Sequence, residues 1–140
     1  MSIPIISFEH ELRLKVGGEY HFRLPDNYDS DLRRWPLLIY LHGMGGQDEI
    51  LDSDGPHNLI ERADDNFILC MPKCSEARWQ ADVILGLIQQ LISEHRIDLS
   101  RLYLTGVSIG GLATWELALR RPSLFAASPT MRSRAALECV

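Results

Sequence analysis

Arg101-Leu102-Tyr103-Leu104-Thr105-Gly106-Val107-Ser108-Ile109-Gly110-Gly111, residues 101–111, passes from an apolar strand pattern straight into a glycine-rich turn. Leu112 to Arg121 follows with a helical pattern that stops before Pro122. Gly106-x-Ser108-x-Gly110 is therefore predicted to be a sharp strand-to-helix junction. Raising a serine hydroxyl above the end of a sheet needs a strained backbone at the serine and small neighbours, because larger side chains would make strand and helix collide. Gly106, Gly110 and Gly111 meet that need. The helix that follows aims its N-terminus at the serine, so its unbonded N–H groups can stabilise developing negative charge. The competing reading is a glycine-rich turn carrying a structural serine. The strand before the motif and the helix after it favour a nucleophile at Ser108.

Working outward, the segments upstream supply a sheet for this junction. Pro36-Leu37-Leu38-Ile39-Tyr40-Leu41 is apolar on successive residues, as expected of a strand covered on both faces in a parallel sheet. His42-Gly43-Met44-Gly45-Gly46 ends it as a loop whose glycines let the backbone approach a ligand without an intervening Cβ. Phe67 to Met71 is a second buried strand, stopped by Pro72. Residues 49–63 are predicted to be helical toward their end. Gln80 to Arg96 places Val83, Ile84, Leu87, Ile88, Leu91 and Ile92 at helical spacing. At the start, His10–Val16 and Tyr20–Leu24 alternate polar and apolar residues around Gly17-Gly18, which predicts a β-hairpin. The order is an N-terminal hairpin followed by strands alternating with helices. That is an α/β fold with a mostly parallel sheet flanked by helices.

The bulk properties narrow the functions. A length of 140 residues suits one domain. The net charge of −5, with 14 basic residues scattered along the chain, lacks the basic stripe of a nucleic-acid binder and does not suit an anionic membrane surface. The start, Met1-Ser2-Ile3-Pro4, shows no signal-peptide pattern, and no apolar run approaches the roughly 20 residues of a membrane span. Cys70, Cys74 and Cys139 are an odd, sparse set, read as reduced thiols of a cytoplasmic protein. Cys70-x-x-x-Cys74 lacks the second pair that a closed metal site needs, so no metal is expected. A thiol enzyme built on Cys70 or Cys74 has no cationic neighbour beyond Lys73 to support it.

"LLIYLHGMGG" and "RLYLTGVSIGG", with "FILCMPKC", Trp79 and "LIQQLISEHRIDLSRLYLTG" between them, resemble the feruloyl-esterase, phospholipase/carboxylesterase and polyhydroxybutyrate-depolymerase-like branch of the α/β hydrolases. The resemblance covers most of residues 10–127. It implies hydrolysis of small carboxylic esters through an acyl-enzyme, with no cofactor. Carried onto this chain, Ser108 is the nucleophile, and the amides of Ile109 and of Met44, or its neighbour Gly43, form the oxyanion hole. Trp79 is placed at the substrate pocket, a core tryptophan being the alternative. His42, in the oxyanion loop, is implied to brace that loop and is the other pocket candidate.

The same resemblance implies an acid and then a histidine after the serine. The 32 residues after Ser108 contain neither Asp nor His, and their acids are Glu116, within the helix, and Glu138. Residues 1–127 are accordingly read as the N-terminal portion of an α/β-hydrolase domain and 128–140 as an atypical tail, a truncated form of the fold. His57, or a histidine of a neighbouring subunit, is the remaining source of a base. An apolar strand at 101–105 without an outer neighbour is a template for pairing, so a homo-oligomer through that sheet edge is expected. Two readings compete: a weak or oligomer-dependent serine esterase, and a non-catalytic remnant that self-associates.

Overall fold

The computed structural model describes residues 15–45 and 66–126. Its elements are β1 (Tyr20–Arg23), a 3-10 turn (Tyr28–Ser30), β2 (Trp35–Leu41), β3 (Ile68–Pro72), helix α1 (Ala81–Glu94), β4 (Ile97–Gly106) and helix α2 (Ile109–Arg120). The strands form one sheet in the order β1-β3-β2-β4, with β1 antiparallel to β3 and the β3, β2 and β4 trio parallel. The α/β class expected from the alternation of strand and helix patterns is the observed one.

The parallel strands carry the apolar runs because both of their faces are covered. Leu37, Ile39 and Leu41 of β2, Ile68 and Cys70 of β3, and Leu102 and Leu104 of β4 join one core. Ile84, Ile88 and Leu91 of α1 and Ala113 and Leu117 of α2 are packed into it. Burying each large aliphatic side chain contributes about 1.5–3 kcal/mol. The helices are also tied at the surface, where Arg120 reaches Asp82 at 3.6 Å and Glu116 at 3.0 Å.

Two departures from the expected boundaries have local causes. β4 begins at Ile97 because its register against β2 is broken at Pro36, which has no N–H to give to a ladder. Trp35 lies opposite Ile97 and Leu37 opposite Leu102. The extra residues are gathered by Asp98, whose carboxylate accepts from the Ser100 amide at 3.0 Å, the Ser100 hydroxyl at 2.6 Å and Arg101 Nε at 2.6 Å. Those donors, Ser100 first, hold its pKa down at about 2. Helix α2 begins at Ile109, directly after the serine, and not at Leu112. Gly110 and Gly111 are poor helix formers by propensity, and close packing against the sheet requires Gly110.

The first arm of the expected hairpin lies mostly outside the described residues, as do the helix expected within 49–63, His57 and the tail 128–140. Lys15 to Glu19 have no regular structure, and the partner of β1 among the described residues is β3.

At the sheet's far side β4 pairs with β2 alone among the described strands. The chain returns to that edge after α2, where the Ala126 amide donates to the Leu102 carbonyl at 2.9 Å.

Gly110 tests how tightly helix and sheet meet. A Cβ there would overlap the Leu41 carbonyl oxygen and lie 2.6 Å from its carbon and 2.8 Å from the His42 oxygen. These are backbone atoms and cannot swing aside. Gly110→Ala is expected to lower stability in urea by about 3 kcal/mol, as overpacking does. Gly17→Ala, with nothing within 4 Å of its Cβ, should stay within about 0.5 kcal/mol of the parent.

Candidate active site

Two loops leave the sheet side by side. Leu41, the last residue of β2, is in register with Gly106, the last of β4. The bond from the Val107 amide to the Leu41 carbonyl, 3.1 Å, carries the pairing one residue further. Residues 42–45 and 107–110 must therefore emerge next to each other. They do so at the carboxyl ends of parallel strands, where the connection after β2 goes to one neighbour, β3, and the later β4 lies on the other side. In open α/β sheets that position is where ligands bind.

Ser108 is exposed at this place, at φ 54° and ψ −120°, and is the non-glycine residue with positive φ among those described. Such a conformation costs about 1–3 kcal/mol. The turn is closed by the Gly110 amide on the Val107 carbonyl at 2.9 Å and by the Leu112 amide on the Ser108 carbonyl at 3.1 Å. Gly106 allows the helix to pass, since a Cβ on it would come within 2.5 Å of Gly110. Ile109 is the first residue of α2, so its amide has no carbonyl to bond within the helix.

The loop after β2 lies against the serine. A Cβ on Gly43 would be 3.4 Å from Ser108 Cβ and 3.5 Å from the Val107 carbonyl oxygen. Met44 beyond it is 69% exposed, and Gly45 takes φ +75°. Ser108, Gly43, Met44 and Ile109, named separately from the sequence, are thus brought together at adjoining strand ends.

His42 and Trp79 sit behind that loop. They are 3% and 5% exposed, with rings 4.9 Å apart, edge to face. The Trp79 indole N–H donates to the His42 carbonyl at 3.1 Å. The Cys74 amide donates to His42 Nε2 at 3.0 Å, and His42 Nδ1 lies 2.6 Å from the Gly43 carbonyl. Trp79 has the core placement that was its alternative, and both rings are spent on holding the loop. Nothing in the sequence marks the Cys74 amide as their partner, because residues 32 positions apart meet only once β3 is placed beside β2.

Among the described residues the Ser108 hydroxyl has no hydrogen-bond partner. Glu116 is held by Arg120 at 3.0 Å and Arg78 at 4.0 Å. His95 packs against Phe22, with ring centroids 4.6 Å apart. Of the thiols described, Cys70 is fully buried, and burial pushes its pKa up to about 12, which leaves no thiolate at neutral pH. Cys74 donates weakly to the carbonyls of Glu76 and Arg78.

A family profile described as esterase PHB depolymerase matches residues 73–135. A probable feruloyl esterase C of Aspergillus niger is 31% identical over 121 residues, covering 79% of this chain and 44% of that protein. A bifunctional acetylxylan esterase/xylanase of Neocallimastix patriciarum is 28% identical over 109 residues, 72% of this chain and 16% of the relative. The chain thus spans less than half the length of these relatives. Among solved structures, an acetyl xylan esterase from Aspergillus awamori superposes with a TM-score of 0.61 at 23% identity, covering 78% of this chain and 44% of that one. A thermostable esterase gives 0.59 at 23% identity over 78% and 35%.

The strain at Ser108 can be measured directly. Glycine tolerates this φ and ψ but adds about 0.5–1 kcal/mol of unfolded-chain entropy, less than the relief expected. Ser108→Gly should therefore raise stability by about 1 kcal/mol in urea denaturation. A loss of stability would show that the serine side chain makes a contact that holds the turn.

Proposed function

We propose that this chain, an α/β hydrolase by fold and similar in sequence to esterases of that fold, acts on small carboxylic esters through an acyl-enzyme on Ser108. The observation that carries the reading is the exposed serine at φ 54° beside Gly43 and at the head of α2. The hydroxyl oxygen attacks the ester carbonyl and its proton leaves with the alcohol. The carbonyl oxygen, now an anion, is held by the Ile109 amide and those of Met44 and Gly43. Water then cleaves the acyl-serine. Feruloyl and acetylxylan esters are the substrates that the named relatives suggest.

The activity of this chain alone is weak or depends on association, because a serine without a base is a poor nucleophile at neutral pH and the Ser108 hydroxyl has no hydrogen-bond partner among the described residues. Partial catalysis by an oxyanion hole and binding alone amounts to roughly 10³–10⁴ over water. The second reading, a non-catalytic chain that self-associates, draws on the same hydroxyl having no hydrogen-bonded partner among the described residues. Both readings include self-association. β4 is an edge among the described strands, and Leu112, Trp115 and Leu119 make an exposed apolar stripe on α2.

Hydrolysis of p-nitrophenyl acetate by the chain should exceed the buffer rate and fall to that rate in Ser108→Ala. Equal rates for the two proteins reject Ser108 as nucleophile. Size-exclusion with light scattering should give a dimer or larger species at micromolar concentration, and a clean monomer removes the association proposal.

A further inference from the structure

We infer that Trp79 and the His42 imidazole are positioning residues that fix the peptide planes of the 42–45 loop, turning the Gly43 and Met44 amides together away from the core. The bonds concerned are on two consecutive carbonyls. The Trp79 indole N–H donates to the His42 carbonyl at 3.1 Å. In a trans peptide the C=O and the following N–H point in opposite directions, so pulling that oxygen back toward Trp79 turns the Gly43 N–H outward. The same carbonyl faces the first turn of α2, its oxygen lying 2.8 Å from the place a Cβ on Gly110 would occupy. The next carbonyl, of Gly43, is 2.6 Å from His42 Nδ1. A carbonyl only accepts, so Nδ1 must carry the proton, and the Met44 N–H is turned out in the same sense.

The tautomer this requires is enforced elsewhere. The Cys74 amide points at Nε2 from 3.0 Å and can only donate, so Nε2 must be bare. One backbone amide on the β3–α1 connection thus selects the ring form that can bind Gly43. Among the described residues neither the Gly43 nor the Met44 amide bonds a backbone carbonyl. Successive N–H groups facing one way form a concavity that attracts an anion, and Gly43 sets it beside Ser108. Were either peptide reversed, a carbonyl oxygen would face the same space and repel the charge that the amides attract. The catalytic meaning of this arrangement rests on the Ser108 reading; the orientation of the loop does not.

The experiment is nitrogen-15 NMR on the whole chain, with steady-state kinetics beside it. His42 should show a protonated Nδ1 and a bare Nε2, and the Trp79 indole proton should exchange slowly with solvent. Trp79→Phe keeps a ring in the core and removes the N–H. It should shift the Gly43 and Met44 amide resonances and lower kcat on p-nitrophenyl acetate about tenfold with KM little changed, less than the 10²–10³ cost of deleting an oxyanion donor outright. An Nε2–H tautomer, fast indole exchange, or unshifted amides in Trp79→Phe overturns the inference. Should that variant not fold, the tautomer and the indole exchange of the parent chain decide it. Ser108→Ala is assayed in parallel. Loss of hydrolysis there with an undiminished kcat in Trp79→Phe overturns the positioning role and leaves the nucleophile reading standing. Hydrolysis that survives Ser108→Ala removes the nucleophile reading, and the resonances, which need no turnover, then decide the loop orientation alone.

Discussion

The contact on which the rest depends is backbone against backbone, where the first turn of α2 rests on the ends of β2 and β4. Gly106 and Gly110 approach so closely that a methyl group on either would occupy the other's space or that of Leu41. No side-chain interaction substitutes for this approach, because a Cβ adds about 1.5 Å to each surface. The closeness sets the direction of α2, forces the chain through a positive φ at Ser108 and lays Gly43 against the serine. The register of Leu41 with Gly106 brings the two loops level. Helix, turn and loop are therefore consequences of one steric condition, and the buried aliphatic core beneath them supplies the stability that keeps it satisfied.

A second layer of constraint comes from the connection between β3 and α1. Cys74 and Trp79 are placed by the strand before them and the helix after them, and both reach the loop through hydrogen bonds to His42. Trp79 also contributes a large apolar body to the core. Its burial is thus tied to the loop: an indole N–H in the interior needs an acceptor, and the acceptor here is a carbonyl of the candidate site. Arg78, one residue earlier, lies 4.0 Å from Glu116 on α2 at an exposed site, where such a pair is worth about 0–1 kcal/mol. The coupling of the connection to the site runs through the buried bonds far more than through that ion pair.

The parts legible in the sequence are those with a local cause. Successive apolar residues at 36–41, 67–71 and 101–105 announced strands covered on both faces, and the helical spacing from Val83 to Ile92 announced α1. Gly-x-Ser-x-Gly between a strand and a helix announced the turn. The start of α2 was misjudged by three residues, because helix propensity counts against Gly110 and Gly111 while packing demands Gly110. A bracing role for His42 was implied by the resemblance, but the partners that brace the loop were not legible. The bracing joins His42 to Cys74 and Trp79 through register between β2 and β3, and sequence spacing carries no trace of a backbone amide meeting a ring nitrogen. Trp79 was readable as a core or pocket residue, but its acceptor was not.

The strain at Ser108 bears on whether the turn is structural or chemical. A residue at φ 54° and ψ −120° is disfavoured for every side chain with a Cβ, and glycine would occupy it at lower cost. A serine retained there for structure alone would need its hydroxyl to return some of that cost through hydrogen bonding. The hydroxyl is exposed and makes no such bond among the described residues. What the conformation does accomplish is positional: it lifts the Oγ over the strand ends, next to a glycine loop whose carbonyls are drawn back and at the head of a helix whose first amide is unbonded. Each of those features favours an oxygen that acquires negative charge. The close approach of Gly106 and Gly110 imposes the turn, and the exposed, unpartnered hydroxyl at its apex is what the proposed acyl-enzyme reading requires.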